Sequence, residues 1–103
     1  MTEAVEAVHI LMVEVGRKEG DGLPAEATGA ALVCYCAAET EKAAVDATVA
    51  VLRDAGLAPL EVESWGTRAA PEGPVDLAVD AALMDRAAAE NAVIVASMST
   101  FTA

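Results

Sequence analysis

Residues 29–65 read GAALVCYCAAETEKAAVDATVAVLRDAGLAPLEVESW, and two changes of pattern inside that stretch decide the fold. Residues 30–38 are short, apolar and uncharged, which predicts a buried strand. Thr40 then offers a side-chain oxygen to cap a helix, and Glu41 complements the dipole in its first turn. Across residues 41–55, Val45, Thr48, Val49 and Leu52 follow the i, i+3, i+4, i+7 spacing of a buried stripe. Gly56 is suited to the left-handed position that closes a helix. Leu57 follows where a Schellman motif returns a hydrophobic contact to Leu52. Pro59 blocks continuation. In residues 60–65, Leu60 and Val62 alternate with Glu61 and Glu63, as on a strand with one wet face. The unit is strand, helix, strand.

Working outward, residues 8–15 (VHILMVEV) are β-branched and apolar and form a first strand. The polar connection over 16–29, punctuated by Gly20, Gly22, Pro24 and Gly29, lets strands one and two pair as an antiparallel hairpin with a long loop. Beyond residue 65, residues 80–91 suit a helix capped by Asp80, with Leu83, Met84, Ala87 and Ala88 on one face. Residues 92–100 form the last strand. Residues 75–79 fit both a strand alternation and the opening of a helix begun at Pro74; the helix is preferred. The order is then ββαβαβ, an α+β two-layer sandwich with helices on a small mixed sheet. If 75–79 is a strand, residues 30–100 instead give βαββαβ, the ferredoxin-like order, behind an extra N-terminal strand.

Two segments carry a resemblance: the run from Gly29 to Trp65, with its Thr-capped helix and LEVES strand, and the helix-then-strand run LMDRAAAENAVIVASMST. Together they resemble small, uncharacterised bacterial ββαβαβ (ferredoxin-like) domains of unknown function. The resemblance implies a fold and carries no site.

Composition narrows the function classes. Of 103 residues, 55% are apolar, about 57 positions; 25 are alanine, leaving about 32 able to fill a core. That suffices for one domain over 1–103 and not for two. Seventeen acids against six bases give a net charge of −11. This argues against nucleic acid, which needs clustered Lys and Arg. Residues 1–51 contribute −6 and residues 52–103 contribute −5, so neither end is a charged tail. The acidic N-terminus is unlike a secretory signal, and the apolar runs are too short to span a bilayer. The expected location is cytoplasmic, with no membrane partner, and Cys34 and Cys36 are expected as free thiols.

The residues able to carry chemistry are few. Cys34 and Cys36 share one strand face and offer two soft metal ligands, with His9 on the paired strand as a third. No further ligand motif completes the set, so buried structural cysteines are the preferred reading. His9 is the lone histidine and lacks a visible orienting partner for base catalysis. The segment Gly16-Arg17-Lys18-Glu19-Gly20-Asp21-Gly22 is rich in glycine but leads into a strand, so it reads as a solvated loop and not a phosphate cradle. Glu61 and Glu63 read as solvated. Trp65 and Arg68 suit core packing or a contact surface.

No cofactor and no catalytic motif is expected, and the balance leans away from an enzyme. The favoured function is a non-enzymatic binding or assembly module acting as a homodimer. The alternative is a small enzyme or ligand sensor with a pocket between sheet and helices near His9, Tyr35 and Trp65. A third reading gives the acidic charge a basic partner. The dimer expectation rests on strands one, two and four, which are apolar on both sides. Helices on one side cover one sheet face, so a second copy is expected to cover the other; the alternative is that the helices lie on opposite faces and cover both without a partner.

Overall fold

The computed structural model describes residues 7–70, 81–90 and 92–102. The elements run β1 (Ala7–Gly16), β2 (Ala27–Ala38), α1 (Glu41–Asp54), β3 (Ala58–Thr67), α2 (Ala81–Glu90) and β4 (Val93–Thr102). The expected ββαβαβ order is the observed one. Residues 75–79, on which the ferredoxin-like alternative depended, lie outside the described residues, as does Asp80. The strands form one sheet in the order β3-β1-β2-β4. Every pairing is antiparallel, which corrects the expectation of a mixed sheet.

The hairpin register places residues by face. His9, Leu11, Val13 and Val15 lie opposite Cys36, Cys34, Leu32 and Ala30; Val8, Ile10 and Met12 lie opposite Ala37, Tyr35 and Val33. Directly opposed residues share a face. Leu52 of α1 packs with Val13, Val15, Leu32 and Cys34, and Ala44 of α1 packs with Leu11 and Cys36. Met84 and Ala87 of α2 pack with Val8, Ile10, Val33 and Tyr35. The two helices therefore cover opposite faces. The fold has three layers, helix on sheet on helix, and not the two expected.

The reason is visible in the central strands. Residues 8–11 and 32–36 are buried without alternation, and a strand buried on successive residues needs cover on both sides. Connectivity supplies it. β2 and β3 both run antiparallel to β1 and hence parallel to each other, so α1 carries the chain across β1 on one face. α2 lies on the other face, in the passage from β3 at one edge to β4 at the far edge.

Helix α1 starts and stops as its sequence dictates. The Ala43 N–H donates to Thr40 Oγ1 at 3.1 Å. At the other end Gly56 N–H donates to the Arg53 carbonyl and Leu57 N–H to the Leu52 carbonyl, each at 3.0 Å. That pair of bonds is a complete Schellman motif. Leu57 packs against the cluster that holds Leu52. The buried stripe is Ala44, Thr48 and Leu52, with Val45 and Val49 half-buried beside it. On β3 the register slips between Glu14 and Val15. Leu60 therefore leaves the expected face of Val62 and is 67% exposed.

Gly56 sits at φ +89°, and a Cβ there would lie 3.0 Å from the Gly20 carbonyl oxygen. Gly56→Val is expected to destabilise the protein by about 1 kcal/mol or more. Asp46, exposed and paired only with Lys42 one turn away, is expected to tolerate Asp46→Ala within about 0.5 kcal/mol. Denaturant midpoints of the two variants check this, and equal midpoints would refute the capping argument.

Candidate functional site

The sheet divides the candidate residues between its faces. His9, Cys34 and Cys36 lie on the α1 side, while Tyr35 and Trp65 pack on the α2 side. A pocket lined jointly by His9, Tyr35 and Trp65 does not form, because neighbours along a strand point to opposite faces.

On the α1 side, His9 and Cys36 are directly opposed on paired strands. Both are buried, and His9 Nε2 lies 3.2 Å from the Ala38 carbonyl oxygen. A carbonyl only accepts, so Nε2 carries the proton. The imidazole is thus oriented by backbone. Cys34 is wholly buried. Burial, with the neighbouring Cys36 as a lesser cause, pushes its thiol up to about 12. The thiolate is the nucleophile and the metal ligand, so this environment suppresses both roles. Among the described residues no group of three His, Cys, Asp or Glu side chains is placed to hold a metal.

A cleft of about 360 Å³ opens beside this pair, lined by Cys36–Glu39, Ala43, Ala47, Ala92 and Val93. It lies where the end of β2, the first turns of α1 and the start of β4 meet. Its walls are mostly alanine, with Glu39 the one ionisable carboxylate. Sequence periodicity points Ala43 and Ala47 away from the buried stripe of α1 and gives no hint of this cleft, because alanine fits either face.

On the α2 side, Trp65 lies half-buried against the cluster that holds Ile10, Tyr35 and Met84. Its indole N–H is buried and has no hydrogen-bond partner among the described residues. The Arg68 guanidinium reaches Asp85 on α2, and the Arg68 N–H donates to the Val8 carbonyl at 2.8 Å. Arg68 fastens the end of β3 to its neighbours. The open remainder of this face is acidic: Glu14 lies opposite Glu61, and Glu63 opposite Met12. Like charges directly opposed on paired strands repel.

The loop after β1 is more built than its composition suggests. Arg17 donates to Asp21 and to the carbonyls of Pro24 and Ala27. The Asp21 carboxylate is buried and accepts from the backbone N–H groups of Lys18 at 2.9 Å and Leu23 at 3.0 Å. Arg17 and Asp21 thus tie the loop to itself and are not free to meet a ligand.

The chain belongs to a family described as a domain of unknown function (DUF8846), whose model matches residues 8–102. No curated protein and no solved structure matches it.

Two outcomes check the site. Protein purified without added metal is expected to carry no stoichiometric zinc or copper, and Cys36→Ala to leave that unchanged; one metal per chain by elemental analysis would overturn the structural reading of the cysteines. The backbone bonds from Lys18 and Leu23, aided by Arg17, hold the Asp21 carboxyl below the usual aspartate range. A depressed folded-state value stabilises the fold above the unfolded value, and that stability is lost as pH falls through the folded one. Asp21→Asn is expected to lower the thermal midpoint at pH 7, with the gap narrowing below the ordinary aspartate range. A gap constant down to that acidity contradicts the assignment.

Proposed function

We propose that this chain is a non-enzymatic assembly module that works as a homodimer. The observation that carries the reading is the distribution of exposed apolar side chains. Of the five large apolar side chains exposed among the described residues, Val95, Met98 and Phe101, at 43%, 52% and 39%, lie on β4, an edge strand of the described sheet, while Val51 of α1 and Leu60 of β3 stand singly. An exposed, uncharged edge strand is a template for pairing with another chain. Chemistry-bearing residues, by contrast, are spent on packing: the Cys34 thiol is buried, His9 bonds backbone, and Arg17 and Arg68 are engaged within the fold.

The basis for the dimer differs from the one the sequence suggested. A bare apolar sheet face no longer motivates it, since each face has its helix. Sheet faces stacked between copies would also set Glu14, Glu61 and Glu63 against their own images, and like charges across an interface oppose binding. In this reading the protein occupies the reducing cytoplasm, where both cysteines stay thiols; no described helix is long and apolar enough to cross a membrane.

Light scattering tests the reading. At roughly 100 μM, suited to a small interface, the expected mass is twice the 10.4 kDa of one chain. A mass of one chain at that concentration ends the homodimer reading.

A further inference from the structure

We infer that the joint of the homodimer is the outer edge of β4, paired antiparallel with β4 of a second copy so that two four-stranded sheets become one of eight. This inference rests on the homodimer reading and adds the surface and its geometry. The two edges of the sheet differ in kind. β3 contains Pro59, has two register slips against β1, and carries exposed Glu61 and Glu63. Proline and charge are devices that keep an edge from pairing. β4 shows the opposite composition: from Ala92 to Thr102 there is no charged residue and no proline. It slips twice against β2, between Val95 and Ser97 and between Phe101 and Thr102, and from Ser97 to Phe101 the register runs without interruption.

Charge restricts where a second copy of this chain can dock. Each copy carries −11, so two copies repel over most of their surfaces. The uncharged strip of β4 is where they approach without opposing carboxylates. The pattern is also self-complementary. In antiparallel pairing about a two-fold axis, opposed residues share a face. The register with β2 puts Met98 and Thr100 on the α1 side, opposite Leu32 and Ala30, and Ser97, Ser99 and Phe101 on the α2 side. A pairing centred within this run sets apolar or hydroxyl side chains against one another on both sides, with no buried charge. Strand pairing of this length buries less than the ~1,200–2,000 Å² of a standard interface, so the dimer is expected to dissociate on dilution.

The test compares two edges with matched changes of charge. Met98→Lys and Thr100→Lys place a cation on β4; Leu60→Lys places the same cation on exposed β3. Light scattering and sedimentation are run at roughly 100 μM, where a small interface is populated, with circular dichroism to confirm folding. The expected result is a dimer for wild type and Leu60→Lys, and a monomer for Thr100→Lys and Met98→Lys. Should Met98→Lys fail to fold, Thr100→Lys decides. A dimer that survives both β4 changes, or is lost in Leu60→Lys alone, overturns the β4 joint and leaves the homodimer standing. A monomeric wild type overturns both and leaves the edge to a strand from another protein.

Discussion

The structure depends on one constraint: β1 and β2 are apolar on successive residues, so the sheet has no face that can be left to water. Ile10, Leu11, Val13 and Val15 on β1, and Leu32 through Cys36 on β2, are all buried. Each such side chain contributes about 1.5–3 kcal/mol by leaving water, so exposing either face would outweigh the marginal stability of a chain this size. A helix on each face is the solution that a four-stranded sheet with two crossovers offers. The edge strands, each with a single paired neighbour, carry the polar residues. That division gives β3 its glutamates and β4 its serines and threonines.

Element identity was legible because local signals in the sequence agreed with one another. Thr40, Gly56, Leu57 and Pro59 specify both ends of α1 without tertiary help, and the Schellman bonds from Gly56 and Leu57 form as their spacing implies. The hairpin of β1 and β2 followed from two apolar runs and a loop rich in glycine. The number of layers was misjudged for a physical reason. Two-sided apolar strands state that both faces need cover and leave open what provides it; a partner and a second helix satisfy the same pattern. Only the strand order β3-β1-β2-β4, set by long-range pairing, shows that α2 lies in a passage to the far edge and can take the second face. The exposure of Leu60 was hidden in the same way, since a register slip leaves no mark on an alternating sequence.

The candidate site divides along the same line. Residue types and strand assignments correctly put Cys34 and Cys36 on one face with His9 across from them, because strand alternation is a property of the chain itself. Whether those groups are chemically competent depends on their surroundings. Burial raises the Cys34 thiol to about 12, and a backbone carbonyl orients His9. The loop at 16–22 failed as a phosphate cradle for the reason its sequence shows, the absence of a following helix. Its internal network is a separate matter. A pair four residues apart, such as Arg17 and Asp21, is common, and nothing in the spacing indicates that Asp21 will be buried and bonded by two backbone N–H groups.

Among the described residues, three of the five exposed large apolar side chains lie on the uncharged strand β4, and in the proposed reading that links the fold to assembly. A net charge far from zero keeps a small protein soluble and resists indiscriminate association. With acids spread over both halves of the sequence, resistance extends over most of the surface. It lapses along β4, where no charge interrupts residues 92–102 and three large apolar side chains stand partly in water. Were β3 equally bare, each copy would present two sticky edges, and edge-to-edge contacts would propagate into fibres. In the proposed reading Pro59 and the exposed glutamates close that side. In the proposed assembly, one open edge and one closed edge make a unit whose pairing stops at two.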